Sequence, residues 1–276
     1  MAEGRGLIRL ALFGAPVNHS KSPAIHAEFA RQLGLDVSYR AIHTEAGQLR
    51  VALAAFERAG GTGANITLPL KREAMELADS VSEAVRLAEA ANVLVRDGEG
   101  RWAAHNTDGA GLVADLADAG WIITGQRIAI LGAGGATAGI LAALLAGKPG
   151  SIHIFNRTAA KAQALAARHA SLGEVQGFGL DAVAEQGGFE LVINATSLGH
   201  QGEVPTTLES LLAGGVRCQD INYGVAAAPL AAWCAERSID YRDGLGMLVQ
   251  QAGLSFELWT GARPNSAPLM AKQRDP

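Results

Sequence analysis

The most constraining feature of this sequence is an alternation of short apolar runs with longer stretches rich in alanine and leucine, which continues almost from end to end. Short apolar runs are typical of buried strands and the longer stretches are typical of helices. This order predicts strand–helix–strand units in a mostly parallel sheet. A chain of 276 residues is long enough for about two domains of this kind. We therefore expect an α/β protein with two domains.

Each half of the chain repeats the pattern. In the first half, Asp97-Gly98 is a favoured two-residue turn and predicts a hairpin; the strands stop near residues 106–108, where we place a domain boundary. The elements predicted before it are strands over 8–13, 37–42 and 64–66, helices over 23–33 and 47–59, a helix that begins near Lys71, and hairpin strands over 92–96 and 102–104. The elements predicted after it are helices over 109–119, 137–146 and 159–170, strands over 127–131, 152–155, 174–177, 191–194 and 218–221, and a C-terminal helix around 248–259.

Charge and apolar patterning exclude several classes of protein. Lysine and arginine total 23 against 27 aspartates and glutamates, so the chain has no basic footprint for nucleic acid or an anionic membrane. No run approaches the ~18 apolar residues of a membrane span, and the apolar run over 7–13 is too short for a signal peptide and is interrupted by Arg9. Cys218 and Cys234 fit no C-x-x-C pattern and indicate reduced thiols, with a disulfide as the alternative. We expect a cytoplasmic protein.

A glycine-rich loop lies between a predicted strand and a predicted helix, with the sequence Gly132-Ala133-Gly134-Gly135-Ala136-Thr137. In that context glycines permit a tight turn and let the backbone approach a pyrophosphate at the helix N-terminus. Thr137 replaces the third glycine of the usual motif, and a plain strand–helix turn is the alternative. The loop predicts dinucleotide binding.

The end of the next predicted strand indicates which dinucleotide is bound. An NAD site ordinarily has an acidic residue about 20 residues beyond the glycines, where it binds the ribose 2′-hydroxyl. This sequence instead has Asn156-Arg157-Thr158, with Lys161 beyond. Arg157 and Lys161 suit a 2′-phosphate, and Thr158 can cap the following helix. We predict NADP, with a solvated charge pair at a helix start as the alternative.

Two serines stand between the first predicted strand and helix, in Ser20-Lys21-Ser22-Pro23. Pro23 suits the first helical position and Ser22 the N-cap. Their hydroxyls and the free backbone N–H groups could bind a carboxylate. Simple helix capping also explains this segment, and on these residues alone it is the better interpretation.

Two further junctions carry polar side chains. Asn65 and Thr67 follow a strand at its C-terminal end, where α/β proteins bind ligands. Lys71 falls in the first turn of a helix, against the preference for anions there; a carboxylate close by would favour its charged form. Asp108 opens another helix. The alternatives are a generic surface lysine at position 71 and a helix cap at position 108.

Other chemistries lack their motifs. The 7 histidines show no metal-binding spacing, the segment 195–199 misses the first glycine of a nucleophile elbow, and the glycine loop lacks the Walker lysine. We therefore expect no metal site, and hydrolase and ATPase functions are disfavoured.

Taken in order along the chain, these segments resemble the shikimate dehydrogenase family over nearly the whole length. The matching elements are Ser20-Lys21-Ser22-Pro23, Asn65-Ile66-Thr67-Leu68-Pro69-Leu70-Lys71, Asn106-Thr107-Asp108, Gly132-Ala133-Gly134-Gly135-Ala136, Asn156-Arg157-Thr158, Asn194-Ala195-Thr196-Ser197 and Met247-Leu248-Val249-Gln250-Gln251-Ala252. The resemblance implies a mostly parallel α/β/α substrate domain over 1–107 and 244–276, a doubly wound Rossmann domain for NADP over 108–243, and a cleft between them. It also implies a monomer or homodimer that binds a small molecule.

The activity that the resemblance implies is the NADP-dependent, reversible reduction of 3-dehydroshikimate to shikimate in aromatic amino-acid biosynthesis. Lys71, paired with Asp108, would move the proton at the reacting oxygen. The implied substrate ligands are Ser20 and Ser22 for the carboxylate, Asn65, Thr67, Asn92, Asp108 and Gln251 for ring hydroxyls, and Tyr223 near the carboxylate. The implied cofactor-binding residues are Gly132, Ala133, Gly134, Gly135, Ala136, Asn156, Arg157, Thr158, Lys161, Thr196 and Gly244.

Some positions differ from the family's usual residues. They are Val93 for threonine, Ala138 for arginine, Val225 for proline, Ala228 for threonine and His200 for methionine. Two alternatives therefore stand beside the main interpretation: a broader quinate/shikimate dehydrogenase, and a non-catalytic NADP-binding sensor.

Overall fold

The computed structural model of the chain describes residues 6–212 and 216–274. Its strands are β1 (Ile8–Gly14), β2 (Val37–His43), β3 (Gly61–Ile66), β4 (Ser80–Val81), β5 (Val93–Arg96), β6 (Trp102–His105), β7 (Arg127–Leu131), β8 (Ser151–Asn156), β9 (Val175–Gly179), β10 (Leu191–Asn194), β11 (Arg217–Asp220) and β12 (Tyr241–Arg242). Its helices are α1 (Ser22–Leu33), α2 (Leu49–Arg58), α3 (Lys71–Leu77), α4 (Glu83–Ala88), α5 (Asp108–Asp118), α6 (Gly135–Ala146), α7 (Ala159–His169), α8 (Leu208–Leu211), α9 (Ala228–Glu236), α10 (Leu245–Thr260) and α11 (Ala267–Arg274). Every strand and helix that the sequence predicts is present, with ends shifted by a few residues.

The chain forms two compact units. Unit 1 comprises Met1–Gly111 and Val249–Pro276, and unit 2 comprises Leu112–Leu248. The borders of the units fall inside α5 and α10. The predicted domain borders, after residues 107 and 243, lie a few residues earlier in the chain.

Unit 1 contains a six-stranded sheet in the order β2-β1-β3-β5-β6-β4. The central strand β1 pairs in parallel with β2 and β3, and its side chains are buried, as expected for a parallel strand covered on both faces. β5 is antiparallel to both β3 and β6. Because β5 runs the opposite way, it starts at the sheet edge where β3 and β6 end. The residues that follow β3 and β6 therefore lie at the same sheet edge as those that precede β5.

The hairpin of β5 and β6 is confirmed, but its predicted two-residue turn was wrong. The strands pair as far as Arg96 and Trp102, so the loop spans residues 97–101. The Asp97 carboxylate accepts hydrogen bonds from the N–H groups of Glu99 and Arg101, at 2.9 Å each. Gly100 supplies the positive φ of 84° that this wider loop needs.

Unit 2 contains a second six-stranded sheet, in the order β12-β11-β10-β7-β8-β9, and all its strands are parallel. Counted from β7, this is the doubly wound order 3-2-1-4-5-6, which confirms the predicted α/β fold. Apolar side chains cover both faces, among them Ile130 and Leu141 on one and Leu131 and Val192 on the other. The strand order reverses between β7 and β10, where folds of this type bind ligands.

Several strands and helices of the structure are not predicted by the sequence pattern. β4 and β12 have two residues each, too few to show an alternation, and α4, α8, α9 and α11 were not predicted either.

In the part of the chain that the structure describes, no helix is both long and apolar enough to cross a membrane. Cys218 and Cys234 are buried thiols that are not joined by a disulfide.

Candidate active site

Lys71 and Asp108 form an ion pair in unit 1, with 2.5 Å between Nζ and Oδ2. Lys71 is the first residue of α3 and Asp108 the first of α5, so both stand at the edge of the sheet where β3 and β6 end. Their side chains are only 20% and 11% exposed, so this pair is mostly buried, as is the ion pair of Arg242 and Asp115 in unit 2. A mostly buried lysine side chain in contact with a carboxylate is a candidate acid–base group.

The Asp108 carboxylate is held in place by a second group. Asn92 Nδ2 donates to Asp108 Oδ1 at 2.8 Å and lies 2.9 Å from Thr107 Oγ1. Asn92 Oδ1 in turn accepts from the Thr107 N–H at 2.8 Å. The start of α5 is capped by Asn106, whose Oδ1 accepts the N–H of Asp108 at 3.1 Å. The carboxylate of Asp108 therefore faces Lys71 instead of capping its own helix.

Helix α10 brings two further polar side chains to the same place. Gln251 Oε1 lies 3.3 Å from Asn92 Nδ2, and Ser255 Oγ lies 3.3 Å from Thr107 Oγ1. Both side chains are buried. The close approach of α10 to α5 depends on Gly111, because a Cβ there would come within 2.6 Å of the Gln251 Cβ.

Asn65, at the end of β3, is fully engaged within the protein. Its Nδ2 donates to the Asn92 carbonyl oxygen at 3.2 Å and to Ser255 Oγ at 3.1 Å. Its Oδ1 accepts from the Tyr39 hydroxyl at 2.8 Å and lies 3.1 Å from His26 Nε2. An asparagine side chain can make about four hydrogen bonds, so Asn65 has no capacity left for a ligand hydroxyl.

The two serines do not cap α1 in the predicted way. The helix begins at Ser22 with Lys21 at the N-cap, and no side chain makes a capping bond there. Ser20 Oγ instead accepts the N–H of Ser22 at 3.2 Å, so the prediction that Ser22 is the N-cap was wrong. On the neighbouring loop, the Thr67 hydroxyl makes no hydrogen bond to any described residue and can serve a ligand.

Sequence reasoning missed four residues of this network. Thr107 lies in the N-T-D motif and was passed over there. Ser255 is four residues after Gln251 and His26 is four residues after Ser22, so in each case helical spacing places the missed residue on the same face as a predicted one. Tyr39, on β2, had no signal in its surrounding sequence.

The glycine loop of unit 2 contains two kinds of glycine. Gly132 has a φ of 102°, and a Cβ there would lie 2.9 Å from the carbonyl oxygen of Ala195, so it is required by the turn and by packing against the loop after β10. A Cβ at Gly134 or Gly135 would meet no atom within 4 Å, which leaves open space at the N-terminus of α6. Thr137, which replaces the third glycine, is buried and donates to the Gly132 carbonyl at 2.8 Å.

The end of β8 fits the phosphate of NADP. The side chains of Arg157 and Lys161 are exposed and form no hydrogen bond or ion pair with the described residues. Asn156 Oδ1 accepts the N–H of Ala133 at 3.2 Å and so ties the glycine loop to this segment. Thr158 occupies the N-cap of α7 without a capping bond, so its predicted capping role was wrong. Two unpaired cations and open space at Gly134 and Gly135 are what a dinucleotide carrying an extra phosphate requires.

A buried carboxylate, Asp220, ties together the loops after β10 and β11. Its Oδ1 accepts from Asn194 Nδ2 at 3.1 Å and from the N–H and Nδ2 of Asn222 at 3.0 and 2.8 Å. Asn194 Oδ1 also accepts the Thr196 N–H and hydroxyl. Thr196 is therefore fixed by this network.

Two other predicted residues lie on the loops near Asp220. Gly244 is needed for packing, because a Cβ there would lie 2.2 Å from the Ile221 carbonyl oxygen. Burial raises the pKa of the Tyr223 phenol, which therefore remains a hydrogen-bond donor. Its hydroxyl bonds to no described residue.

Asp220→Asn tests the electrostatics of this network through stability. Burial raises the pKa of Asp220 from 3.8 to about 6, despite the hydrogen bonds that it accepts. A carboxyl whose pKa is higher in the folded state favours folding at low pH, and this contribution is lost as the pH rises through about 6. The free energy of unfolding of the wild type, relative to Asp220→Asn, should therefore fall by about 1–1.5 kcal/mol between pH 5 and pH 7.5. Urea denaturation of both proteins at the two pH values measures it, and a constant difference would contradict the raised pKa.

Across residues 6–212 and 216–274, no group of three or more histidine, cysteine, aspartate or glutamate side chains is arranged to hold a metal ion. The site is instead built from hydroxyl, amide and carboxylate groups with one lysine. Such groups suit a hydroxylated ring better than a phosphorylated substrate.

Comparison with known proteins finds relatives that are similar over nearly the whole chain. Three family models match: shikimate dehydrogenase substrate binding domain over residues 12–94, shikimate/quinate 5-dehydrogenase over 115–200, and shikimate 5'-dehydrogenase C-terminal domain over 244–273. A shikimate dehydrogenase (NADP(+)) from Chromohalobacter salexigens is 45% identical over 95% of this chain and 96% of its own length.

Two solved structures show the same fold. An Ael1 enzyme from Pseudomonas putida has a TM-score of 0.88 at 35% identity and covers 98% of this chain and 99% of its own. Shikimate 5-dehydrogenase from Thermus thermophilus, solved in complex with NADP(H) and shikimate, has a TM-score of 0.83 at 31% identity, covering 97% and 98%.

Proposed function

The chain belongs to the shikimate dehydrogenase family, and from this premise we propose that Lys71 and Asp108 are the acid–base pair of its reaction. The protein is an NADP-dependent oxidoreductase that catalyses the reversible reduction of 3-dehydroshikimate to shikimate, in aromatic amino-acid biosynthesis. The observation that carries the proposed roles is the mostly buried Lys71–Asp108 contact of 2.5 Å, supported by Asn92.

The proton moves through Lys71. In the reducing direction its ammonium donates a proton to the carbonyl oxygen of 3-dehydroshikimate, which becomes the new hydroxyl; in the oxidising direction the neutral amine accepts that proton. Asp108 holds Nζ in position through the contact of 2.5 Å. NADPH, when bound, supplies the hydride that reduces the carbonyl carbon.

The remaining polar groups bind the substrate. We assign the carboxylate of the substrate to Ser20 and Ser22, and the ring hydroxyls to Thr67, Asn92 and Gln251. Support comes from the Thr67 hydroxyl, which bonds to no described residue. Tyr223 remains a proposed substrate ligand. The dinucleotide is held by the glycine loop, with its 2′-phosphate on Arg157 and Lys161. Asn156 bonds to that loop, and Thr158, Thr196 and Gly244 remain proposed cofactor-binding residues.

An absorbance assay at 340 nm tests the activity. We expect NADP-dependent oxidation of shikimate, with weaker rates for NAD in place of NADP and for quinate in place of shikimate. Equal rates with quinate would favour the broader quinate/shikimate dehydrogenase. No signal at high enzyme concentration would favour a cofactor sensor without turnover and would reject the acid–base role of Lys71.

A cytoplasmic location and a monomeric or homodimeric state remain part of the proposal. Light scattering on the purified protein gives the mass in solution and decides between monomer and dimer. An assembly larger than a dimer would contradict the proposed oligomeric state.

A further inference from the structure

The orientation of the Asn65 amide is fixed by one of its partners. A backbone carbonyl only accepts hydrogen bonds, so the contact with the Asn92 carbonyl oxygen requires Nδ2 on that side. Oδ1 must then face His26 and Tyr39. Because Oδ1 is an acceptor, His26 has to carry its proton on Nε2 to make the contact of 3.1 Å.

The surroundings of His26 keep it in that neutral form. Its ring stacks on Tyr39, with centroids 4.3 Å apart and planes at 16°, and on Phe256 at 5.9 Å and 16°. Nδ1 is buried without a hydrogen-bond partner in the described structure. Burial lowers the pKa of His26 to about 3, since a second proton would place a charge among aromatic rings. The Nε2–H group is therefore a permanent donor to Asn65.

Asn65 lies between two groups of residues, and it reaches the acid–base pair through the backbone and the side chain of Asn92. On one side it bonds to the Asn92 backbone, and the Asn92 side chain bonds to Asp108, the partner of Lys71. On the other side Asn65 Oδ1 accepts from the Tyr39 hydroxyl and lies beside His26 Nε2. Asn65 thus connects His26 and Tyr39 with the residue that supports the acid–base pair.

We infer that His26 and Tyr39 are positioning residues that hold the Asn65 amide in the single orientation that supports Asn92, and through Asn92 the Lys71–Asp108 pair. The inference rests on the proposed function of that pair, and it makes Asn65 a positioning residue instead of a ligand for a ring hydroxyl. The aromatic rings around His26 give it packing, and its N–H group gives it this role.

Two substitutions at position 26 separate those contributions. His26→Phe keeps an aromatic ring but loses the N–H donor, whereas His26→Gln loses the ring but places a side-chain N–H near the same point. We expect His26→Phe to lower kcat about tenfold, as the loss of one buried hydrogen bond permits, with KM for shikimate within about twofold of the wild type. His26→Gln should keep kcat within about threefold of the wild type, although its melting temperature is lower.

A purely structural role predicts the opposite order, because phenylalanine preserves the packing and glutamine does not. A kcat for His26→Phe equal to or above that of His26→Gln would overturn the inference. A rise in KM with unchanged kcat would also overturn it, since that result would mean that Asn65 contacts the substrate. Activity of the wild type in the same assay keeps the two questions apart: an inactive wild type rejects the proposed function, and an active one with the wrong order rejects only this inference.

Tyr39→Phe provides a second variant that keeps the ring stacked on His26. We expect a kcat about five- to tenfold lower at similar KM, and an unchanged kcat would overturn the inference. The matched control is His169→Phe in unit 2, where a buried histidine side chain has the Leu165 carbonyl, at 3.0 Å, as its one hydrogen-bond partner among the described residues. Its kcat should stay within about twofold of the wild type, and a loss as large as that of His26→Phe would overturn the assignment of a specific role.

Discussion

Replacing Lys71 with alanine is expected to lower the turnover of shikimate by about 10²–10⁴-fold, the usual contribution of a general acid–base group, while the fold is retained. Asp108 keeps its hydrogen bond from Asn92 in this variant, so the start of α5 does not depend on the lysine. The measurement is kcat by absorbance at 340 nm, with circular dichroism to verify the fold. Near-normal turnover would reject the acid–base assignment.

Two companion variants sharpen this result. Lys71→Arg keeps the positive charge beside Asp108, but a guanidinium does not give up its proton at working pH, so turnover should fall nearly as far while substrate still binds. Arg72→Ala removes the next residue of α3, whose exposed side chain contacts Glu76 at 3.1 Å; it should leave turnover within about twofold, since exposed ion pairs contribute little. Full activity of Lys71→Arg would mean that position 71 supplies charge only.

Replacing Arg157 with alanine is expected to weaken NADPH binding by about 1.5–3 kcal/mol, or about tenfold to over a hundredfold, and to leave NADH binding almost unchanged. The reason is that the guanidinium has no partner among the described residues, so its removal costs no internal contact and affects only the 2′-phosphate. Fluorescence titration with the two dinucleotides gives both dissociation constants.

Arg168→Ala is the matched control, because it removes an exposed arginine from the last turn of the same helix, α7. It should change neither constant. Equal losses for NADPH and NADH in Arg157→Ala would show that Arg157 supports the structure of the segment and does not read the 2′-phosphate.

Features that depend on neighbouring residues could be predicted from the sequence. The glycine loop, the strand before it and the helix after it are set by a few consecutive residues, and the structure places them as expected. Finer local features could not be predicted in the same way. The two-residue turn at Asp97-Gly98 is a favoured local choice, but the Asp97 carboxylate accepts two N–H groups from a wider loop and displaces it.

The Lys71–Asp108 contact joins residues that are 37 positions apart. Local sequence indicated only a lysine at an unfavourable helix position and an aspartate at a helix start. The prediction that they pair rested on the resemblance to a family, because the local sequence around one residue does not indicate that it contacts the other.

For a similar reason, the sequence could not predict that the Asn65 side chain makes all its hydrogen bonds within the protein. Its four hydrogen-bond partners are His26, Tyr39, Asn92 and Ser255, which lie on α1, on β2, just before β5 and on α10. Which of an asparagine's bonds remain free depends on all of these elements at once. The sequence could therefore indicate that Asn65 belongs to the site, but not that other residues of the protein occupy every hydrogen-bonding position of its amide.

The polar network of unit 1 is closed by α10, near the end of the chain. Ser255 completes the bonds of Asn65 and Thr107, and Trp259 donates to the Leu94 carbonyl at 3.0 Å. A ribosome therefore produces all of residues 112–248, which form unit 2, before unit 1 has received its last helix. During synthesis the part of the protein that begins first is completed last. A chain that ends after residue 248 contains all of unit 2, but its proposed acid–base pair lacks the support of Ser255.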